Sequence, residues 1–321
     1  MGLQIVGWGT ALPEKILTNG DLAAQLDTSD EWIRERTGIR ERRIGDSTAE
    51  LAIAAGREAL EHADVDPASI DMLILCTTTP DQTVPATSAR VHEELGIGGG
   101  AFDLNAACAG FVYGLVTAES LLAADPAKRI LLIGADVLSR ITDWTDRSTA
   151  VLFGDGAGAI VLQGCSDANG QLLSSDVGAD GSLRGILYAD LGGKMKMEGQ
   201  EVFKCAVRAM VASSRRALEA AGHRADEIAL VVPHQANLRI IEAACQRLGI
   251  PADRAAIILD RTGNTSSASI PLAWIDAVRA DRLSEGDLVL LTGFGAGMTW
   301  ASAVIRWRKN SRINDRAGSR G

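Results

Sequence analysis

Part of this chain is written twice, and a repeat of that kind restricts the fold to one assembled from two related halves. Early on, Arg57-Glu-Ala-Leu-Glu-His-Ala63 leads through a polar link, Ser69-Ile-Asp71, into the apolar run Met72-Leu-Ile-Leu-Cys76. Later, Arg216-Ala-Leu-Glu-Ala-Ala-Gly222 leads through Asp226-Glu-Ile228 into Ala229-Leu-Val-Val-Pro233. Each copy reads as helix, turn and buried strand. Each is followed by a helix that ends in leucine-glycine-isoleucine, at 95–97 and at 248–250. After the first copy comes Asn105-Ala-Ala-Cys108-Ala-Gly110; after the second comes Thr262-Gly-Asn264-Thr-Ser-Ser-Ala268. Equivalent corners of the two copies thus carry different chemical groups, which is how an enzyme site grows on a duplicated scaffold.

The rest of the chain fits an α/β protein in which each half forms a mixed sheet flanked by helices, the whole a layered sandwich. The expected organisation is a first half over 1–165, an irregular glycine-rich excursion over 166–200 that walls part of a pocket, a second half over 201–307, and a polar, basic, disordered tail over 308–321. A strand is expected near Ala256 to Leu259. The net charge of -9 opposes a phosphate backbone, so nucleic-acid binding is not expected. No apolar run of bilayer-crossing length and no cleavable leader is read, so no membrane partner is expected. Five cysteines without tight spacing fit a reducing, cytoplasmic compartment. None of the four histidines has a partner at metal-ligand spacing, so no metal site is expected. His62, His92 and His223 read as surface or capping residues. The stretch Gly154-Asp-Gly-Ala-Gly158 precedes a strand instead of opening a helix, so it is not a dinucleotide fingerprint.

Three side chains stand out. Cys108 follows a strand and should open a buried helix, where aligned amides favour a thiolate; a buried core cysteine is the plainer alternative. His234 ends an apolar strand in Val232-Pro-His-Gln-Ala-Asn237, where a packed or capping histidine would also be ordinary. Asn264 sits in a turn, and a purely structural cap would explain it alone. All three fall at the carboxyl ends of strands, the rim on which α/β sheets build sites.

Taken with Asp30-Glu-Trp-Ile33, Arg36-Thr-Gly-Ile39, Glu201-Val-Phe-Lys204 and Phe294-Gly-Ala-Gly297 before Thr299-Trp300, these three signatures resemble the β-ketoacyl-acyl carrier protein synthase III family from Leu3 to Trp307. The resemblance implies a thiolase-like, five-layered αβαβα sandwich and an acyltransferase that starts fatty-acid synthesis. Cys108 would take an acyl group from a short acyl-CoA and release CoA, with no permanently bound cofactor. His234 and Asn264 would hold malonyl-acyl carrier protein as it loses carbon dioxide, and the resulting enolate would attack the acyl-cysteine. The backbone amides of Cys108 and Ala296 would form an oxyanion hole, and Phe294 would shield the sulfur. The resemblance puts Trp32 and Arg147 on either side of the CoA adenine and Arg36 and Arg239 near its phosphates. Thr28 and Asn237 would line the pantetheine path, with Gly199 and Phe203 at its border. Lys204, Arg215, Arg239 and Arg247 would make a local basic patch for the acidic carrier protein.

The resemblance also implies a homodimer in which the residue before Pro85 closes the partner's acyl pocket. Relatives restricted to acetyl groups tend to carry phenylalanine there, whereas this chain has Val84, which leaves room for longer or branched acyl groups. Further readings remain: a relative working in specialised, polyketide-type metabolism, a cysteine hydrolase of acyl thioesters, and a non-catalytic carrier-binding protein. The intact Cys108, His234 and Asn264 favour the condensing enzyme.

Overall fold

The computed structural model describes residues 2–45, 47–165 and 171–308. The expected tail from 309 onward, and 166–170 of the expected excursion, lie outside these. The first half runs β1 (Gly2–Ala11), α1 (Asp30–Thr37), α2 (Thr48–Ala63), β2 (Met72–Cys76), α3 (Thr87–Leu95), β3 (Gly100–Leu104), α4 (Gly110–Ala124), β4 (Arg129–Val137) and β5 (Asp155–Cys165). The second runs β6 (Leu172–Ala179), α5 (Gly199–Ala221), β7 (Ile228–Pro233), α6 (Leu238–Leu248), α7 (Ser269–Arg279), β8 (Leu288–Gly295) and β9 (Thr299–Arg306).

The two sheets have one topology. The first is ordered β1-β5-β4-β2-β3, and the second, read from the same end, β6-β9-β8-β7. Parallel and antiparallel pairings match position by position. The expected strand near Ala256 is absent. The fifth position of the second sheet is reduced to one parallel bridge, Val231 to Ala255, and the chain then turns into a short helix, Leu259–Thr262. A second correction concerns the excursion. It is not irregular throughout, because β6 pairs with β9 from Leu172 to Ala179 and forms the edge of the second sheet. Its serines and Asp176 hid that strand, since they lie at partly exposed positions where strands tolerate polar side chains. The glycine-rich stretch at 154–158 also enters its strand sooner than expected, with Asp155 already in β5.

Alternation along the strands decides the layers. In β4, Ile130 and Leu132 face the core between the sheets, while Leu131 and Ile133 face the layer of α2 and α3. In β8, Val289 and Leu291 face the shared core, while Leu288 and Leu290 face the layer of α5 and α6. With α4 and α7 between the sheets, the order is helices, sheet, helices, sheet, helices: a five-layered sandwich. The expectation about apolar length is also corrected. Ala107–Ala124 has the length and mean hydropathy, 1.5, of a bilayer-crossing segment. Its composition is explained by its place, because Phe111, Val112 and Leu115 are wholly buried between the two sheets. The repeated leucine-glycine-isoleucine is a pair of equivalent helix stops. Gly96 and Gly249 take φ of +72° and +75°, the left-handed conformation that ends α3 and α6.

Candidate active site

Two equivalent corners of the duplicated fold meet at a single cavity. Each corner follows Asn-X with a tight 3-10 turn, Ala107–Ala109 before α4 and Ser266–Ala268 before α7. Ala107 and Ser266 both adopt left-handed backbone, with φ of +51° and +52°. Such a conformation costs a non-glycine residue about 1–2 kcal/mol. In both corners an asparagine offsets it: Asn105 Oδ1 accepts the Ala107 N–H at 3.1 Å, and Asn264 Oδ1 accepts the Ser266 N–H at 2.9 Å. The bond leaves Asn264 Nδ2 to face the cavity as a donor. By the same equivalence, Cys108 of the first corner corresponds to Ser267 of the second.

The cavity encloses about 630 Å³, and Cys108, His234, Asn264, Phe294 and Ala296 all line it. The three side chains singled out in the sequence therefore converge. Part of its wall comes from the segment before α5, including Leu187, Tyr188, Met195 and Met197, and from Gly199, Phe203 and Asn237.

His234 is completely buried. Its Nδ1 lies 2.7 Å from Ser269 Oγ, the first residue of α7. Ser269 Oγ also accepts the Gln235 N–H at 3.3 Å, and Nδ1 is the only acceptor its own proton can reach, so turning the O–H to Nδ1 satisfies both groups. The imidazole proton then sits on Nε2, which is buried without a protein partner and aims its N–H at the cavity. Burial pushes the His234 pKa down to about 3, so the ring is neutral at ordinary pH. Phe294, 2% exposed, packs edge-on against it with ring centres 5.6 Å apart. Ser269 was not read from the sequence, because nothing in Ser269-Ile-Pro shows that a strand end 35 residues earlier packs on it.

Cys108 departs from expectation. It lies half-buried in the turn before α4, yet desolvation in the cavity raises its pKa to about 12 instead of lowering it. The hydroxyl of Ser266 beside the sulfur opposes the rise, though without a fully formed hydrogen bond, and the Asp136 carboxylate adds to it. Desolvation thus outweighs the favourable amides of the helix start. The loop of Phe294 to Gly297 runs directly against this turn. A Cβ on Gly295 would stand 2.4 Å from the Cys108 backbone nitrogen, so only glycine fits there. Thr299 Oγ1 fastens the two segments by donating to the Ala106 carbonyl at 2.8 Å. Ala296 is absent from the residues of left-handed backbone, so its methyl sits without strain.

The position equivalent to Cys108 is occupied differently. Ser267 is buried, and both its N–H and its hydroxyl lie within 3.0 and 2.7 Å of Asp136 Oδ2. The other oxygen of Asp136 receives Thr77, Thr78 and Thr79 through N–H and O–H groups at 2.7–3.1 Å. Asp136 is buried and joins the second corner to the end of β2 in the first half.

The remaining expected residues lie toward the cavity mouth or away from it. Trp32 and Arg147 do meet, but the guanidinium of Arg147 rests 4.8 Å from the Trp32 ring centre, with Arg36 at 5.9 Å on the same ring. A base does not fit between Trp32 and Arg147 in this arrangement; one of them has to swing aside. Thr28 has a buried hydroxyl without a partner. Asn237 caps α6 through its Oδ1 and donates Nδ2 to the Arg36 carbonyl at 3.0 Å. Arg239 lies outside the cavity lining, over Phe203 at 5.8 Å. Lys204, Arg215 and Arg247 are exposed along α5 and α6. Lys204 is paired with Glu201 at 2.8 Å, which reduces its part in any basic patch. Val84 stands 82% exposed in its loop. Asp81 pins that loop to the start of α2 by accepting the Thr48 and Ala49 N–H groups at 2.9 Å. Among the described residues no group of side chains could hold a metal ion.

Comparison with known proteins gives a consistent picture. The family described as 3-Oxoacyl-[acyl-carrier-protein (ACP)] synthase III matches residues 102–181, and its C-terminal counterpart matches 218–307. The chain is 52% identical to beta-ketoacyl-[acyl-carrier-protein] synthase III of Roseiflexus castenholzii, covering 94% of this chain and 97% of the relative. It is 48% identical to the synthase III of Geobacillus kaustophilus, over 96% and 99% of the two chains. Among solved structures, 3-oxoacyl-[acyl-carrier-protein] synthase III from Aquifex aeolicus superposes with a TM-score of 0.93 at 45% identity, covering 95% and 100%. The priming β-ketosynthase of the R1128 polyketide pathway superposes with a TM-score of 0.91 at 36% identity, covering 96% and 97%.

Proposed function

Because this chain belongs to the 3-oxoacyl-[acyl-carrier-protein] synthase III family, we propose that it condenses a short acyl-CoA with malonyl-acyl carrier protein and so initiates fatty-acid synthesis. The observation that carries this reading is the convergence of one thiol and two neutral donors, His234 Nε2 and Asn264 Nδ2, on one cavity. Cys108 attacks the thioester carbon of acyl-CoA; the carbon–sulfur bond to CoA breaks, and the thiol proton ends on the CoA sulfur. Malonyl-carrier protein then binds with its thioester carbonyl against the two donors. The carboxylate leaves as carbon dioxide, and its electron pair becomes an enolate whose oxygen the donors stabilise. The enolate carbon attacks the acyl-cysteine, the carbon–sulfur bond breaks with its electron pair on the Cys108 sulfur, which takes a proton from solvent to restore the thiol, and 3-oxoacyl-carrier protein leaves. No carboxylate base is required, because decarboxylation itself generates the carbanion. Phe294 keeps water from the acyl-cysteine.

The finer assignments extend this reading. Trp32 and Arg147 clamp the CoA adenine once the indole and the guanidinium part, Arg36 and Arg239 meet its phosphates, and Thr28 and Asn237 flank the pantetheine arm. Arg215, Arg239 and Arg247, with Lys204 partly neutralised, receive the carrier protein. A homodimer in the cytoplasm brings the exposed Val84 of each protomer to the other's acyl pocket. Valine in place of a larger plug admits branched or longer starters, each packed methylene adding about 1 kcal/mol. The likeness to a priming ketosynthase supports a second reading, in which the product feeds polyketide synthesis.

Mass measurement after mixing with acyl-CoA alone tests the first half-reaction: an adduct forms and is lost in Cys108→Ala. His234→Ala keeps the adduct and loses condensation with malonyl-carrier protein. Free acid released without any malonyl substrate would instead identify a hydrolase. With a panel of acyl-CoAs, Val84→Phe narrows the range toward acetyl; an unchanged range would dismiss the pocket assignment.

A further inference from the structure

Arg42 is wholly buried, the only arginine or lysine among the described residues that is. It remains charged at ordinary pH, since burial lowers its pKa only to about 10. An arginine taken out of water is costly unless its donors are used. Here Nη1 and Nη2 reach two different elements, while Nε is buried without a partner. Nη1 donates to Asn19 Oδ1 at 2.5 Å, and Asn19 Nδ2 donates in turn to Asp30 Oδ1 at 2.8 Å and to the Ile39 carbonyl at 2.9 Å. Asp30 opens α1, the helix that carries Trp32 and Arg36. Nη2 donates to the Val151 carbonyl at 2.5 Å. Val151 directly follows the short helix Arg147–Ala150.

From Val151 the backbone continues as a strap to the catalytic end. The Asn264 N–H donates to the Leu152 carbonyl at 2.9 Å, and the Gly154 N–H donates to the Asn264 carbonyl at 2.9 Å. The aliphatic stem of Arg42 lies under the same turn. A Cβ on Gly263 would stand 3.0 Å from Arg42 Cγ, and one on Gly154 3.3 Å from Arg42 Cβ. One side chain therefore touches, directly or through one partner, the elements that carry Trp32, Arg147 and Asn264.

We propose that Arg42 is a positioning residue that sets the nucleotide end of the site and the Asn264 turn relative to each other. The inference rests on the reading of Trp32 and Arg147 as the adenine clamp. Its guanidinium fixes the spacing of the two clamp elements through Asn19 and Val151, and its stem and the strap fix Asn264.

The experiment compares acyl-CoA with the matching acyl-N-acetylcysteamine thioester, which lacks the nucleotide. Arg42→Met keeps the stem and removes the donors. It should lower the wild-type ratio of kcat/KM for the two starters about tenfold, through KM for acyl-CoA, as expected when charge-assisted hydrogen bonds are lost. Arg42→Lys should restore part of the ratio. A merely structural role would lower kcat for both starters together and leave the ratio alone; that outcome in folded protein overturns the proposal. If Arg42→Met does not fold, Asn19→Ala cuts the Trp32 branch alone, and an unchanged ratio there overturns it equally. A wild-type protein with no preference for acyl-CoA would sink the clamp reading itself, and this inference with it.

Discussion

At the residue scale the site depends on protons placed by second partners. The His234–Ser269 bond matters because it decides which ring nitrogen faces the substrate. Ser269→Ala should therefore leave formation of the acyl adduct within about twofold and lower condensation roughly tenfold to a hundredfold, with Ser269→Thr recovering part. Nitrogen NMR of the labelled ring gives a direct reading: wild type carries its proton on Nε2, and a proton found on Nδ1 would refute the assignment. Cys108 gives a pH prediction of definite sign. With its pKa raised to about 12, the thiolate fraction grows with pH across the working range. The rate of acylation should climb about tenfold per unit from about pH 6 to 9. A rate already flat near neutrality would mean that the helix amides win over burial. That Cys108, His234 and Asn264 come together was legible in the sequence, because each sits in a short, ordered motif at a strand end. The thiol's protonation was not, because it depends on how much water the folded site excludes.

At the scale of elements, the tight fit between the end of β8 and the Cys108 turn is the feature most open to test. Gly295→Ala places a methyl carbon 2.4 Å from the Cys108 nitrogen, so one segment must shift. Overpacking of this kind costs about 1–3 kcal/mol, and self-acylation should fall with it. Ala296→Gly, one residue on, should change acylation less than about twofold, since no left-handed backbone is relieved. Thermal melts and adduct formation rates on the two variants separate these outcomes. Helices α2, α3, α5 and α6 were readable because their stops and periodicity are local. The bridge at Ala255 that stands for a fifth strand was not: Ala256 to Leu259 has the apolar look of a strand, but tertiary packing turns it into Leu259–Thr262. Strand β6 was missed for the opposite reason, as its pairing with β9 lies 120 to 133 residues away.

For the whole molecule, the buried neutral His234 makes stability depend on pH. Its pKa falls from 6.5 unfolded to about 3 folded, so below 6.5 the unfolded chain binds a proton that the folded one refuses. The contribution is intact above 6.5 and is lost by about 1.4 kcal/mol per unit as pH falls toward 3. Asp81 and Asp176, whose pKa values are lowered in the fold, add to acid lability only nearer the usual carboxylate range. Urea midpoints taken between about pH 7 and 4 should therefore slope less in His234→Gln than in wild type; parallel slopes would contradict a neutral buried ring. The duplication that made the fold legible also has a cost for the evolution of new chemistry. A thiol written in at Ser267 would sit against the Asp136 anion, which discourages the sulfur from giving up its proton. In the proposed reaction one sibling corner supplies the nucleophile while the other serves as a rivet between the halves, and freeing the rivet to gain a second nucleophile would loosen the seat of the first.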